Sequence, residues 1–169
     1  MSPRPVNRGA TLIELVLYIT IFSLLSLTVM AIIDQLYVGY SLAEELRRVE
    51  TEGRILNARI GTQIRQATAV SLEAGERSDD ILLAMPEAER DPTELYSEDN
   101  VFFIRENNEQ PAALSSPRVQ VEELNFTNLS PSADTDVIRW QLRLSVERLS
   151  GGRITRTFSG SAHLNNYHD

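Results

Sequence analysis

The sequence predicts an α+β protein: a long N-terminal α-helix, membrane-spanning in its first half and amphipathic in its second, packed on a C-terminal antiparallel β-sheet head. Three observations predict it. Nineteen consecutive residues, 15–33, carry no charge. Apolar residues then recur at helical spacing through residues 42–64. Further on, residues 136–147 alternate between apolar and polar from Ile138 onward, the signature of a strand buried on one side. The chain accordingly divides into residues 1–9, a leader; 10–33, a transmembrane or filament-core helix; 34–68, its amphipathic continuation; and 69–169, the head.

Composition narrows the chemistry. The 169 residues contain no Cys, so there is no disulfide, thiolate metal site or cysteine nucleophile. Only His163 and His168 supply imidazole, too few for a His-rich metal centre. A net charge of −8 argues against a general nucleic-acid binder, whose phosphate contacts need an excess of cations. All sixteen basic residues are Arg, which reads as genomic bias rather than function.

The uncharged run is LVLYITIFSLLSLTVMAII. About 20 apolar residues span a bilayer as a helix, so it is long enough. At about 0.3–0.6 kcal/mol for each Leu, Ile, Val and Phe, its composition favours insertion by about 4–7 kcal/mol. Arg4 and Arg8 precede the run and the first charge after it is Asp34. The positive-inside rule therefore places Met1 in the cytoplasm and the head outside.

Glu14 does not fit a plain anchor. A charge at mid-membrane costs about 2.5–3.5 kcal/mol, and less near the end of a span, so insertion survives. An intramembrane carboxylate is by default functional and calls for a partner. The plainer reading is that Glu14 sits at headgroup level and complements the positive end of the helix dipole.

The string Arg8-Gly9-Ala10-Thr11-Leu12-Ile13-Glu14, between a short basic leader and an uninterrupted apolar helix, resembles the class III signal of type IV pilins and type II secretion pseudopilins. The close resemblance covers residues 4–33; the rest matches in layout only. It implies that prepilin peptidase cuts between Gly9 and Ala10 and that Ala10 becomes the N-methylated terminus. It also implies that Glu14 serves assembly, and that the partners are other pilin or pseudopilin subunits, the peptidase and an inner-membrane assembly platform. The expected location is the bacterial inner membrane, then the filament. Three features differ from a major pilin. Ala10 stands where Phe or Met is usual, Ala31 stands where many carry a helix-kinking Pro, and no Cys is available for a C-terminal disulfide. They fit a minor pilin or pseudopilin, of the J-like or H-like kind. The chemistry of Glu14 agrees: cleavage would create an ammonium on Ala10, one helical turn away at i,i+4. A buried carboxylate is tolerable when paired, within a subunit or with its neighbour.

After the span, no Pro interrupts the chain until Pro86. Leu42, Leu46, Val49, Gly53, Leu56, Ile60 and Ile64 form a helical apolar stripe, with Glu44, Glu45, Arg47, Arg48, Glu50, Glu52 and Arg54 on the other faces. One helix from about Thr11 to near Thr68 is expected, with bending at Gly39 or Gly53. Alternatively Ser41 with Glu44 and Glu45 forms a capping box for a second helix, and Gly39 is a joint.

Strands are expected at residues 69–73 and 80–85, around a turn at Ala74-Gly75-Glu76, and at 101–105. A further strand at 119–126 carries a bulge at Glu122-Glu123, where the alternation slips. Residues 86–100 (PEAERDPTELYSEDN) read as an acidic loop. In 136–147, Ile138, Trp140, Leu142, Leu144 and Val146 face inward, and Arg139, Gln141, Arg143, Ser145 and Glu147 outward. Ser150-Gly151-Gly152 makes a hairpin turn. Residues 153–164 return with Ile154, Phe158, Ala162 and Leu164 inward. Together they form one antiparallel sheet whose apolar face packs on the helix stripe.

The head offers little chemistry. Glu87, Glu89, Asp91, Glu94, Glu98 and Asp99 offer oxygen ligands suited to Ca²⁺, but without a regular ligand spacing, and no metal site is assigned. Glu122 and Glu123 are neighbours on a strand and point to opposite faces, which does not suit paired acid/base work. Asp79-Asp80 reads as a strand-start turn, His163 as exposed and Trp140 as core. The sequence holds no nucleophile motif, P-loop or dinucleotide fingerprint. The expected function is therefore a structural filament subunit without a cofactor, not an enzyme. Two alternatives stay open. One is a conventionally secreted binding protein cut after Val29-Met30-Ala31. The other is a permanently anchored binding protein with a small β-rich ectodomain, which leaves the string from Gly9 to Glu14 unexplained.

Overall fold

The computed structural model describes residues 11–130, 137–148 and 151–164. The fold is α+β, as expected. The chain divides into two units, Met1–Ser41 and Leu42–Asp169. A single helix, α1 (Leu12–Gln66), runs for 55 residues without a break. Thr11 starts it: its carbonyl accepts from the backbone N–H of Glu14 at 3.0 Å and of Leu15 at 3.1 Å. At the other end, the Ala67 N–H is shared between the carbonyls of Gln63 (3.1 Å) and Ile64 (3.3 Å), a bifurcation common at helix termini. The Thr68 N–H then turns to the Ala84 carbonyl at 2.8 Å and leads the chain into the first strand.

The alternative of a second helix beginning at Ser41 is overturned. The Ser41 hydroxyl donates back to the Val38 carbonyl at 2.9 Å, within the continuous helix. Glu44 pairs forward with Arg48 at 3.1 Å rather than back towards Ser41.

In the second unit, the expected stripe is the buried one. Val49, Gly53, Leu56, Ile60 and Ile64 are buried, joined by Gly61 and Gln63, while Leu42 and Leu46 are half-buried. Among the described residues nine strands follow: β1 (Ala69–Val70), β2 (Arg77–Ser78), β3 (Ile81–Ala84), β4 (Thr93–Glu98), β5 (Val101–Glu106), β6 (Ala112–Ala113), β7 (Gln120–Asn128), β8 (Val137–Glu147) and β9 (Arg153–His163). They form two antiparallel sheets, in the orders β1-β3-β4-β5-β6 and β2-β7-β8-β9. The expectation of one sheet is thus corrected. The chain switches sheets at β2, whose two residues pair with β7 and not with β3. The sheets meet where β4 and β5 approach β7. Residues of α1 and of both sheets share one apolar core, including Leu56, Ile60, Leu95, Phe102, Phe126 and Leu142.

Two further expectations are revised. Residues 86–100 are not all loop: β4 lies among them, with Thr93 and Leu95 fully buried. The two-residue turn joining β4 to β5 places Asp99 (φ 49°) and Asn100 (φ 64°) in the left-handed region. That is the pattern of a type I′ hairpin, which Asp and Asn tolerate better than most residues. Ser145 is also buried rather than outward. It lies opposite Gln120, beside the register shift between Val121 and Glu123. That shift is the expected bulge. Otherwise β8 follows its alternation, with Ile138, Trp140, Leu142, Leu144 and Val146 all buried. At the β8–β9 turn, Gly151 (φ 87°) and Gly152 (φ 89°) adopt a backbone that side chains disfavour.

The helix meets the four-stranded sheet through two aromatic rings seated on glycines. Phe158 of β9 lies over Gly53 and Trp140 of β8 lies against Gly61. The Trp140 indole N–H donates to Asn57 Oδ1 at 2.7 Å. Gly53, Asn57 and Gly61 are successive i,i+4 positions, so one ridge of small residues takes both rings. Gly53, expected both in the apolar stripe and as a bending point, is buried there and admits the Phe158 ring.

Candidate functional site

Within the first unit, every residue from 11 to 40 is exposed. The most apolar eighteen-residue window of the helix has a mean hydropathy of 2.4, and none of it is buried. The exposure falls on all sides: Phe22 is 71% exposed and Leu27 69%. A single N-terminal helix is therefore long and apolar enough to cross a membrane.

Three hydroxyls in this stretch are satisfied within the helix itself. Thr20 donates to the Val16 carbonyl at 2.8 Å, Ser23 to Ile19 at 2.7 Å and Thr28 to Leu24 at 2.9 Å. Each hydroxyl spends its proton on the preceding turn, so none needs water to satisfy its donor.

Glu14 occupies the third helical position after Thr11, which makes Thr11-Leu12-Ile13-Glu14 a capping-box sequence. The Thr11 hydroxyl lies 3.4 Å from the Glu14 N–H, a long contact. The Glu14 carboxylate is 3.5 Å from the Tyr18 hydroxyl, one turn on. Tyr18 was not singled out from the sequence, although its i,i+4 spacing from Glu14 is the available signal. Gly9 and Ala10, the expected processing residues, lie outside the described residues, as do Arg4, Arg8 and His168.

In the second unit, the acidic residues of 86–100 do not converge. Asp91 Oδ1 accepts from the Met85 N–H at 2.9 Å. Glu94 pairs with Arg105 at 3.0 Å, and Glu87 lies 3.8 Å from Arg90. Among the described residues, no three His, Cys, Asp or Glu side chains are grouped to hold a metal ion. Arg90 is the organising residue here, and the sequence reading did not single it out. Its guanidinium donates to Glu106 at 2.8 Å, to Gln66 at 3.3 Å and to Gln63. It thereby ties the end of α1 to β5.

A second Arg, Arg105, donates to the Tyr96 hydroxyl at 3.1 Å. That bond first, and the Glu94 charge second, hold its guanidinium above its ordinary pKa. Its carbon lies 5.1 Å from the Tyr96 ring centre, and the Tyr96 ring stacks on Phe103. The expectation that Glu122 and Glu123 face opposite sides is corrected: the bulge places both between the buried Val121 and Leu124, and Glu122 pairs with Arg153 at 3.1 Å, Glu123 with Arg77 and Arg143 at 3.2 and 2.9 Å. His163 is exposed at the end of β9. Glu94, Glu122 and Glu123 are thus each occupied in ion pairs with Arg side chains.

No protein-family model matches the chain, and no curated protein or solved structure matches it.

Proposed function

We propose that this chain is a structural subunit of a type IV pilus or type II secretion pseudopilus, a minor pilin or pseudopilin of the J-like or H-like kind. The observation that carries the proposal is the helix surface of residues 11–40, exposed throughout, with Glu14 as its single charge before Asp34. An apolar surface of that extent needs cover from outside the chain, and lipid or the apolar helices of other subunits supply it. Its back-bonded Thr20, Ser23 and Thr28 suit either environment.

In this reading the N-terminus starts in the cytoplasm, behind Arg4 and Arg8, and the β-rich head lies outside the inner membrane. Prepilin peptidase removes residues 1–9 and leaves a methylated ammonium on Ala10. The carboxylate of Glu14 then pairs with that ammonium, its own or a neighbour's, and sets the register of subunits in the filament. The assembly platform and other subunits are the partners; no catalysis is proposed.

N-terminal sequencing of the chain, co-expressed with a prepilin peptidase, tests the reading. The expected terminus is Ala10, and Gly9→Val should leave the full-length precursor in the membrane, because a β-branched side chain replaces hydrogen beside the scissile bond. A terminus at Ile32 would make it a secreted protein. Met1 or Ser2 would make it a permanent anchor.

A further inference from the structure

Three of the five tyrosines, Tyr18, Tyr37 and Tyr40, stand on the helix half before Leu42. They are 60%, 72% and 77% exposed. Two carboxylates stand near them. Asp34 follows Glu14 by twenty positions, a rise of about 30 Å along a helix, and the residues between carry no charge. The hydrocarbon core of a bilayer is about 30 Å thick, the same length.

The tyrosines are not placed symmetrically about the two carboxylates. Tyr18 lies four positions inside Glu14, whereas Tyr37 and Tyr40 lie three and six positions outside Asp34. Side-chain direction accounts for the difference. Every Cα–Cβ bond tilts towards the helix N-terminus, so a long side chain lies over the preceding turn. A ring that ends at the N-terminal boundary of a span must start inside it. One that ends at the C-terminal boundary must start beyond it. Tyr18 does the first: its hydroxyl reaches back to 3.5 Å from the Glu14 carboxylate. Tyr37 and Tyr40 are placed for the second, and neither hydroxyl meets a partner among the described residues.

We propose that these three tyrosines anchor the helix in a lipid bilayer at a fixed depth, with Glu14 and Asp34 level with the two headgroup layers and Leu24 at the midplane. A tyrosine ring is apolar and its tip polar, which suits the boundary between hydrocarbon and headgroups. Sliding the helix by a turn in either direction draws one carboxylate into hydrocarbon, at a cost that opposes the shift. The helices of other subunits are the wrong occupant for this pattern. They give no reason for polar-tipped rings at two levels one bilayer thickness apart. The inference rests on the membrane-spanning reading above and adds the depth of the chain before any assembly.

Spin-label depth measurements test it. The chain has no Cys, so each introduced Cys carries the sole label. Full-length variants, labelled in turn at the apolar positions of residues 12–40 other than the tyrosines, are placed in vesicles of dioleoylphosphatidylcholine. Collision with oxygen, set against collision with a nickel chelate, reads depth. The maximum should fall at Leu24, with headgroup-level values beside Glu14 and Asp34. In Tyr37→Leu/Tyr40→Leu the maximum should move about three residues towards the C-terminus, since leucine enters hydrocarbon where tyrosine stops at its edge. A parental maximum beyond Thr28, or no movement in the double variant, would overturn the anchoring and leave the span intact. No label below headgroup level would overturn the spanning reading, and the depth with it. Labels shielded from oxygen and nickel alike would also overturn the proposal, since a second copy, not lipid, then covers the helix.

Discussion

The ring of Phe158 occupies the space a side chain on Gly53 would need: a Cβ there would lie 2.1 Å from ring carbon Cε2 and 2.2 Å from Cζ. Gly53 is thus fixed by packing, against its own helix propensity. Alanine is better in a helix by about 1 kcal/mol. Displacing the ring costs about 1–3 kcal/mol, so Gly53→Ala should destabilise the folded unit by up to about 2 kcal/mol. With Phe158→Ala already in place the sign should reverse, and the same change should stabilise by about 1 kcal/mol. Denaturant melts of the four proteins, followed by the fluorescence of the only Trp, measure both numbers. An additive pair would show that the ring escapes without cost.

Trp140 is held on three sides. Gly160, its cross-strand partner, would bring a Cβ within 2.2 Å of the indole, Gly61 within 3.1 Å, and Asn57 accepts the indole proton. Trp140→Ala should cost about 3–5 kcal/mol, as for other large core aromatics. Gly160→Ala should cost about 1–3 kcal/mol, because this ring has nowhere to move. Thermal melts by circular dichroism check the order; a Gly160→Ala protein as stable as the parent would show that the ring can shift.

These seats explain what could be read from the sequence. Apolar periodicity gave the helix and the faces of β8 and β9, since burial repeats at 3.6 or 2 residues wherever an element is long. It also carried the bulge before Glu123, where the alternation slips. It failed at β4, where Thr93 and Leu95 are the only fully buried positions and two of the other four are Glu. The Asp99-Asn100 turn was the missing cue. The division into two sheets was not legible, because it depends on which strand the two residues of β2 join. The Gly53 and Gly61 seats were equally hidden, since glycine in a helix signals close approach or bending alike. At the membrane end, Glu14 stood out as a charge against an apolar background, whereas Tyr18 beside it blended into that background.

The second unit should fold without the apolar helix half. Among the described residues, every buried apolar side chain, from Val49 to Leu164, belongs to Leu42–Asp169. Residues 42–169 made alone should be soluble, with strand-rich circular dichroism and one cooperative melt. A coil-like spectrum would mean that residues before Leu42 are needed for the fold.

The filament reading places its sharpest demand on Glu14. Glu14→Leu takes a charge out of an apolar helix, so membrane insertion should improve or stay equal. Peptidase cleavage should persist, since the scissile bond after Gly9 lies well upstream of the altered side chain. The loss falls on the Ala10 ammonium, which no longer has a carboxylate. The 3.5 Å contact from Tyr18 is lost as well, but a hydroxyl can be satisfied by the helix backbone and an ammonium cannot be neutralised that way. Leaving one member of a buried ion pair alone costs about 3–5 kcal/mol, enough to abolish stable packing beside a neighbouring helix. Processed Glu14→Leu protein should therefore collect in the membrane and stay out of filaments. Cross-linking to partner subunits, run beside a cleavage assay, reads both steps. Glu14→Asp, which keeps the charge on a shorter stem, should recover part of the assembly. If the processed Leu variant joined filaments at the parental level, Glu14 would be a helix-capping residue and nothing more.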